Sequence, residues 1–253
     1  MKKLLYYLLT IMVISACSGR KSDEFIIKGE ISGDFAGNVY LQKSNNGQFE
    51  ILDTAVVENG KFSFRGTIAA PDMYYIGIDQ SRFVGFFNEA ADISIQFHID
   101  SLMSPKVKGS ASDETYRSYL ATQEKQRSEE ISLYSAYNEA SRTGDSAKMK
   151  EIENSVEAFE NKQKAEVMEY ISQNSASFVA PYVAMRHSYQ FDLNELKTIM
   201  GKFSGKVKES SFSTMLADRI TILENVEPGK VAPVFPMNAP AGNPLTLSQL
   251  RGK

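Results

Sequence analysis

Residues 52–66 read LDTAVVENGKFSFRG, two strand-like runs either side of Asn59-Gly60. Both turn residues tolerate the positive backbone angles of a type I′ turn, so this pair is the strongest hairpin signal in the chain. Outward from it, residues 25–100 are a succession of short strand candidates: FIIKGEI (25–31), NVYLQKS (38–44), FEILDTAVV (49–57), KFSFRGTI (61–68), MYYIGID (73–79), FVGFFNE (83–89) and ISIQFHID (93–100). SGDFAG, NNGQ, ENG and AAPD separate them with turn chemistry. Ile93, Ile95, Phe97 and Ile99 alternate with Ser94, Gln96, His98 and Asp100, which gives that strand one apolar and one polar face. Seven short strands at this spacing predict an antiparallel sandwich or barrel-like domain over residues 25–108.

The character changes near KGSASDETYRSYL. From Ser112 to Asn174 there is no proline, Gly144 is the only glycine, and Glu, Lys, Gln and Ala dominate. That is helix composition. Met149, Ile152, Val156 and Phe159 fall at three- and four-residue spacing and continue through Val167 and Tyr170, an amphipathic stripe. RTGDS interrupts the run with Asp145 placed as an N-cap, so the spacing predicts a helical hairpin rather than one rod. Shorter helices are expected at 178–187, 193–200 and 212–223, with Asp192 and Glu195 at capping-box spacing. Pro228, Gly229 and Pro233 end the helical region, which spans 109–227. The expected fold class is α+β.

The 253 residues carry 28 basic and 31 acidic side chains, a net charge of -3 that becomes -5 without Lys2 and Lys3. This balance offers no electrostatic footprint for nucleic acid. MKKLLYYLLTIMVISAC opens with two lysines, then an apolar run from Leu4 to Ile14 too short for a membrane span of about 20 residues. It reads as a signal peptide over 1–16. Ile14-Ser15-Ala16-Cys17 resembles the bacterial lipobox, which implies lipidation of Cys17, the only cysteine, and a polar tether over 17–24. The implied location is the cell envelope, held to a membrane by acyl chains that each contribute about 0.8 kcal/mol per buried methylene.

LDTAVVENGKFSFRG, followed by PDMYYIGI, resembles an amino-terminal domain of unknown function (DUF4369-like) found in many Bacteroidetes lipoproteins. In those proteins a helical segment and then a thioredoxin-like domain of the TlpA/ResA (AhpC/TSA) type commonly follow. The tail is similar to the opening of such a domain at Val231-Ala232-Pro233, Phe235, Leu247-Ser248 and Leu250-Arg251-Gly252-Lys253. The resemblance implies an incomplete thioredoxin-like element over 228–253 that stops before the family's Trp-Cys-x-x-Cys active site. Composition alone also fits a Pro-rich unstructured terminus. The implied role is a non-catalytic docking or positioning module of an envelope thiol-disulfide oxidoreductase. The alternative is a stand-alone lipoprotein that binds a peptide, a glycan or an envelope protein.

No catalytic, cofactor-binding or metal-binding residue is expected. Thiol-disulfide exchange needs a free low-pKa thiolate, and a zinc site needs about four ligands; His98 and His187 are the only imidazoles and lie in different elements. His98 falls on a polar strand face and His187 at a helix end, so both are expected in solvent. Glu129-Glu130 reads as a solvated helix face. Tyr74, Tyr75, Phe83, Phe86 and Phe87 are expected mostly in the core, with a groove for a peptide or sugar as the other use of such a cluster. Tyr116, Tyr119, Tyr134 and Tyr137 are expected to seat the helical hairpin, although a partner-binding stripe has the same pattern.

Overall fold

The computed structural model describes residues 22–45, 47–232, 234–240 and 242–250. The expected signal peptide, Cys17 with most of the tether, Pro233 and residues 251–253 lie outside the described residues. All seven expected strands form: β1 (Glu24–Ser32), β2 (Asn38–Asn45), β3 (Gln48–Val56), β4 (Lys61–Thr67), β5 (Asp72–Gly77), β6 (Phe83–Asn88) and β7 (Asp92–His98). An eighth, β8 (Ser101–Lys108), was hidden by Pro105, Lys106 and Lys108. It lies at a sheet edge, where proline is tolerated.

The strands make two four-stranded sheets, ordered β4-β1-β7-β8 and β3-β2-β5-β6. Two features depart from the sequence reading. Asn59 and Gly60 have φ of 52° and 75°, as a type I′ turn requires, yet β3 and β4 do not form a hairpin. A single bridge, Glu58↔Lys61, closes the turn just past the end of β3, and the two strands then part into different sheets. Val57 turns into the core with its N–H on Gly37 O, and β4 pairs instead with β1 from Glu24↔Thr67 to Glu30↔Lys61. The second departure is that β1 and β7 run parallel, the other ladders of these sheets being antiparallel. Between them the chain crosses to the second sheet and back twice, through β2–β3 and β5–β6, the kind of long connection that parallel neighbours need.

The inner faces meet in one core. Ile27, Phe64 and Ile95 come from the first sheet; Val39, Ile76, Val84 and Phe86 come from the second. Burial of each contributes about 1.5–3 kcal/mol. β1, β4 and β7 alternate buried and exposed positions, so the first sheet keeps a wet outer face. β5 and β6 are apolar on both faces because their outer side meets helices: Met73 and Phe87 belong to a second core.

That core is built by α1 (Ala111–Thr143), α2 (Ser146–Gln173), α3 (Val179–Arg186), α4 (Leu193–Met200), α5 (Gly205–Lys208) and α6 (Ser211–Asn225). Gly144, at φ 71°, closes α1, and Asp145 accepts from Lys148 N to start α2. Asp192 and Glu195 form the expected capping box. Val179, Leu196, Ile199 and Leu216 are fully buried. The α1 terminus is fastened to β6. Asp113 Oδ1 accepts from Phe87 N at 2.9 Å, Ser110 Oγ donates to Phe87 O at 2.9 Å, and Arg117 Nη2 donates to Gly85 O at 2.9 Å. Burial pushes the Asp113 carboxyl up, opposed by Arg117 at 3.0 Å. The fold is therefore α+β, layered as sheet, sheet and helices. In the tail, β9 (Pro236–Asn238) and β10 (Pro244–Thr246) pair with each other and, among the described residues, with no other strand. No described helix is long and apolar enough to cross a membrane.

Candidate functional site

The helices cover only part of the outer face of the second sheet. Met73 and Phe87 lie under them, whereas Phe49, Ile51 and Phe83 are 40%, 54% and 37% exposed. Phe49, Tyr75 and Phe83 close an aromatic triangle, with centroids 5.0, 4.9 and 5.3 Å apart and mostly edge-on geometry. Gly85 makes room for it, since a Cβ there would sit 3.3 Å from the Tyr75 ring. Beside the triangle a groove of about 490 Å³ runs between the β2–β3 end of this sheet and α6; it reaches round the end of the sheet, so that Lys43 and Glu50 of the opposite face line it together with Tyr75, Phe212 and Met215. Asp72 anchors its polar side, accepting from Lys43 Nζ at 2.6 Å, Met73 N at 2.8 Å and Ser211 Oγ at 3.1 Å.

Tyrosines continue inward from the groove. Burial raises the Tyr75 phenol to about 12, with Tyr182 next to it adding to the effect. Tyr182 packs edge-on against Phe212, Phe87 and Tyr116, and Tyr116 stacks on Tyr119. Burial also raises the Tyr116 and Tyr119 phenols. The chain ends at His187, contrary to the expectation that this residue is solvated: it is 5% exposed, with Nε2 2.6 Å from the Tyr119 hydroxyl. The ring turns inward because α3 packs on α1 and α2, so a helix-end position did not mean a surface one. Burial lowers the His187 pKa, with neighbouring Arg186 acting in the same direction. Its Nδ1 meets Gln190 Oε1 at 3.3 Å, and Gln190 Nε2 donates to Gln163 Oε1 at 2.9 Å.

Gln163 and Gln190 also line a second groove, of about 500 Å³, on the helical hairpin beside Tyr134, Phe159 and Tyr189. Tyr116 and Tyr119 seat the hairpin as expected; Tyr134 does not, and is exposed. Among the five aromatics singled out from sequence, Tyr74, Phe86 and Phe87 are core, while Tyr75 and Phe83 form the open face. His98 lies on the wet face of the first sheet, its Nδ1 accepting from Asp100 N. Glu129 is exposed and pairs with Lys162 at 3.3 Å. Among the described residues no group of three His, Cys, Asp or Glu is placed to hold a metal ion. The Gln-His-Tyr chain has no sequence signal because Tyr119 comes from α1, Gln163 from α2, and His187 and Gln190 from the segment between α3 and α4, with no shared spacing.

The model of a domain of unknown function (DUF4369) matches residues 25–116. The matched span takes in both sheets and runs into α1, and so includes Ser110 and Asp113, the side chains that close the edge of β6. No curated protein matches the chain, and no solved structure does.

Proposed function

We propose that this chain is the non-catalytic amino-terminal part of an envelope thiol-disulfide oxidoreductase of the TlpA/ResA kind, held to a membrane through lipid on Cys17, and that its β domain is a docking module. The observation that carries the docking role is the half-covered outer face of the second sheet. Phe49, Ile51 and Phe83 stand open there beside a groove, while the same face three or four residues away is packed under helices. An exposed aromatic patch with a polar rim is the usual mark of an interaction site. The resemblance of the tail to the opening of a thioredoxin-like domain supports the oxidoreductase context.

A photo-crosslinking residue at position 83, installed in the source cell, is expected to give a discrete adduct whose partner mass spectrometry identifies, and none at Met103, which is exposed on the β8 edge. Adducts at both positions or at neither remove the docking role. The oxidoreductase context is tested by reading the coding region past the Lys253 codon for a Trp-Cys-x-x-Cys motif. Purified residues 18–253 are expected not to reduce a test disulfide. Cys17→Ser is expected to move the protein from the membrane fraction to the soluble one.

The hairpin groove favours a second reading, a stand-alone glycan- or peptide-binding lipoprotein. Tyr134 and Tyr189 offer exposed ring faces, and Gln163 and Gln190 offer hydrogen-bonding groups between them. Saturable binding abolished by Tyr189→Ala and unaffected by changes at Phe83 would favour it.

A further inference from the structure

The two sheets have four edges, and three are blunted in recognisable ways. The outer edge of β6 is occupied by side chains of α1, with Asp113 and Ser110 taking the Phe87 N–H and C=O and Arg117 taking the Gly85 carbonyl. The β8 edge carries Pro105, Lys106 and Lys108, and the β4 edge carries Lys61 and Arg65. Proline and lysine are among the devices by which natural sheets discourage edge pairing, as are bulges and inward-pointing charges. β3 has no proline and no lysine; its guard is the bulge at Leu52 with the carboxylates of Glu50 and Asp53, a guard that an incoming basic strand would neutralise. The β3 sequence, QFEILDTAV, contains no basic residue and no proline, and among the described residues it pairs only with β2.

Its two faces differ in chemistry. The β2–β3 register pairs Phe49 with Ser44 and Ile51 with Gln42, which puts Phe49 and Ile51 on the outer face with the aromatic triangle. Glu50 pairs with Lys43 and Asp53 with Leu41, which puts both carboxylates on the opposite face. The irregularity between Leu41 and Gln42 falls at Leu52, so the alternation is apolar outside and acidic inside. The Lys43 ammonium, across from Glu50, is bound to Asp72 at 2.6 Å rather than to Glu50, and Asp53 Oδ1 accepts from Thr54 N at 2.7 Å, which leaves its second oxygen for an incoming base.

We propose that β3 is a strand-addition edge: an extended segment of another protein, alternating basic and apolar residues, joins the second sheet as its fifth strand. This rests on the docking role proposed above and names the chemistry of the partner. Main-chain hydrogen bonds to β3 supply the affinity, and the alternate side chains supply the selection. Apolar residues of the incoming strand lie beside Phe49 and Ile51, and its lysines or arginines lie across from Glu50 and Asp53. A second copy of this chain is the poorer occupant, since β3 against β3 brings acidic residues into a ladder that already holds two and supplies no base.

The probe is a labelled eight-residue peptide alternating lysine with valine, titrated by fluorescence anisotropy against residues 18–253 at low salt. Two companions accompany it, one with glutamate for lysine and one with proline for alternate valines. The lysine peptide is expected to bind at least tenfold more tightly than either companion and to slow amide hydrogen exchange within residues 48–53. Glu50→Lys combined with Asp53→Lys is expected to weaken it tenfold or more; both residues are exposed, so the fold is kept, which circular dichroism checks. Lys106→Glu on the β8 edge is expected to change nothing. The proposal is overturned if no peptide binds, if the proline peptide binds equally, or if protection appears elsewhere. Protection of 48–53 that grows with protein concentration and no peptide assigns the edge to a second copy and also overturns it. An adduct at position 83 with no strand addition at β3 would sink this inference and leave the docking role standing.

Discussion

A single carboxylate sets the direction of the polar chain through the helices. Glu166 only accepts, so Gln126 turns Nε2 towards it and leaves Oε1 to accept from Gln163 Nε2. Gln163 Oε1 then accepts from Gln190, Gln190 Oε1 faces His187 Nδ1–H, and His187 Nε2 is left to accept from the Tyr119 hydroxyl. The neutral imidazole fits this sequence of donors and acceptors; an imidazolium would turn the Tyr119 hydroxyl into an acceptor, and burial is what disfavours it. Tyr119→Phe leaves a buried ring nitrogen without its donor and is expected to cost about 1–3 kcal/mol in urea denaturation. The pH dependence follows from the lowered pKa of His187. Near pH 6 the unfolded chain, with an ordinary imidazole at about 6.5, binds more protons than the native one. The stability that His187 contributes is present above about pH 6.5 and is lost as pH falls below it, by at most about 1.4 kcal/mol per pH unit for one proton. Denaturation at pH 7.5 and 5.5 checks this: the loss is expected to be smaller in His187→Gln, and an equal loss in both proteins would refute it.

At the scale of elements, the junction of β6 and α1 decides how the β domain carries its helices. Ser110 acts twice there, its Oγ accepting from Asp113 N as the N-cap of α1 and donating to Phe87 O. Ser110→Ala is therefore expected to cost more than an ordinary cap, about 1–2 kcal/mol, with faster hydrogen exchange in the first turn of α1; a loss near zero would show that the cap carries nothing here. This junction also marks where reading the sequence stops working. The alternation in Ile93 to Asp100, the Gly144-Asp145 break and the Asp192–Glu195 box were legible because each is a local pattern that one element satisfies by itself. The fate of the Asn59-Gly60 turn was not. Its backbone angles are local, but the destinations of β3 and β4 are set by which sheet buries Val57, Phe62 and Phe64. MYYIG and FVGFF carry apolar residues on both faces, which announces burial without saying that a sheet lies on one side and helices on the other. Of the candidate site, Tyr75 and Phe83 were legible as members of an aromatic cluster. Phe49 was not, because what makes it part of the face is a register against β2 and the absence of a helix above it.

For the whole molecule, the second sheet is the shared wall of two cores. Tyr74, Ile76 and Phe86 face the first sheet, and Met73 and Phe87 face the helices, so neither layer is complete without β5 and β6. The tail stands apart from this arrangement. None of its described residues after Glu227 is buried, neither core includes any of them, and β9 and β10 have, among the described residues, only each other as strand partners. Val231, Phe235 and Met237 are large, apolar and exposed. If residues 228–253 belong to a separate folding unit, their removal takes nothing from the layered body. A chain ending at Glu227 is expected to unfold in one cooperative transition, its stability within about 0.5 kcal/mol of the full chain, as for changes away from packed features. It is also expected to lose apolar surface, seen as weaker binding of a hydrophobic dye. A loss of stability of about 2 kcal/mol or more on truncation would instead make the tail part of this body, and the reading of it as the opening of a further domain would fall.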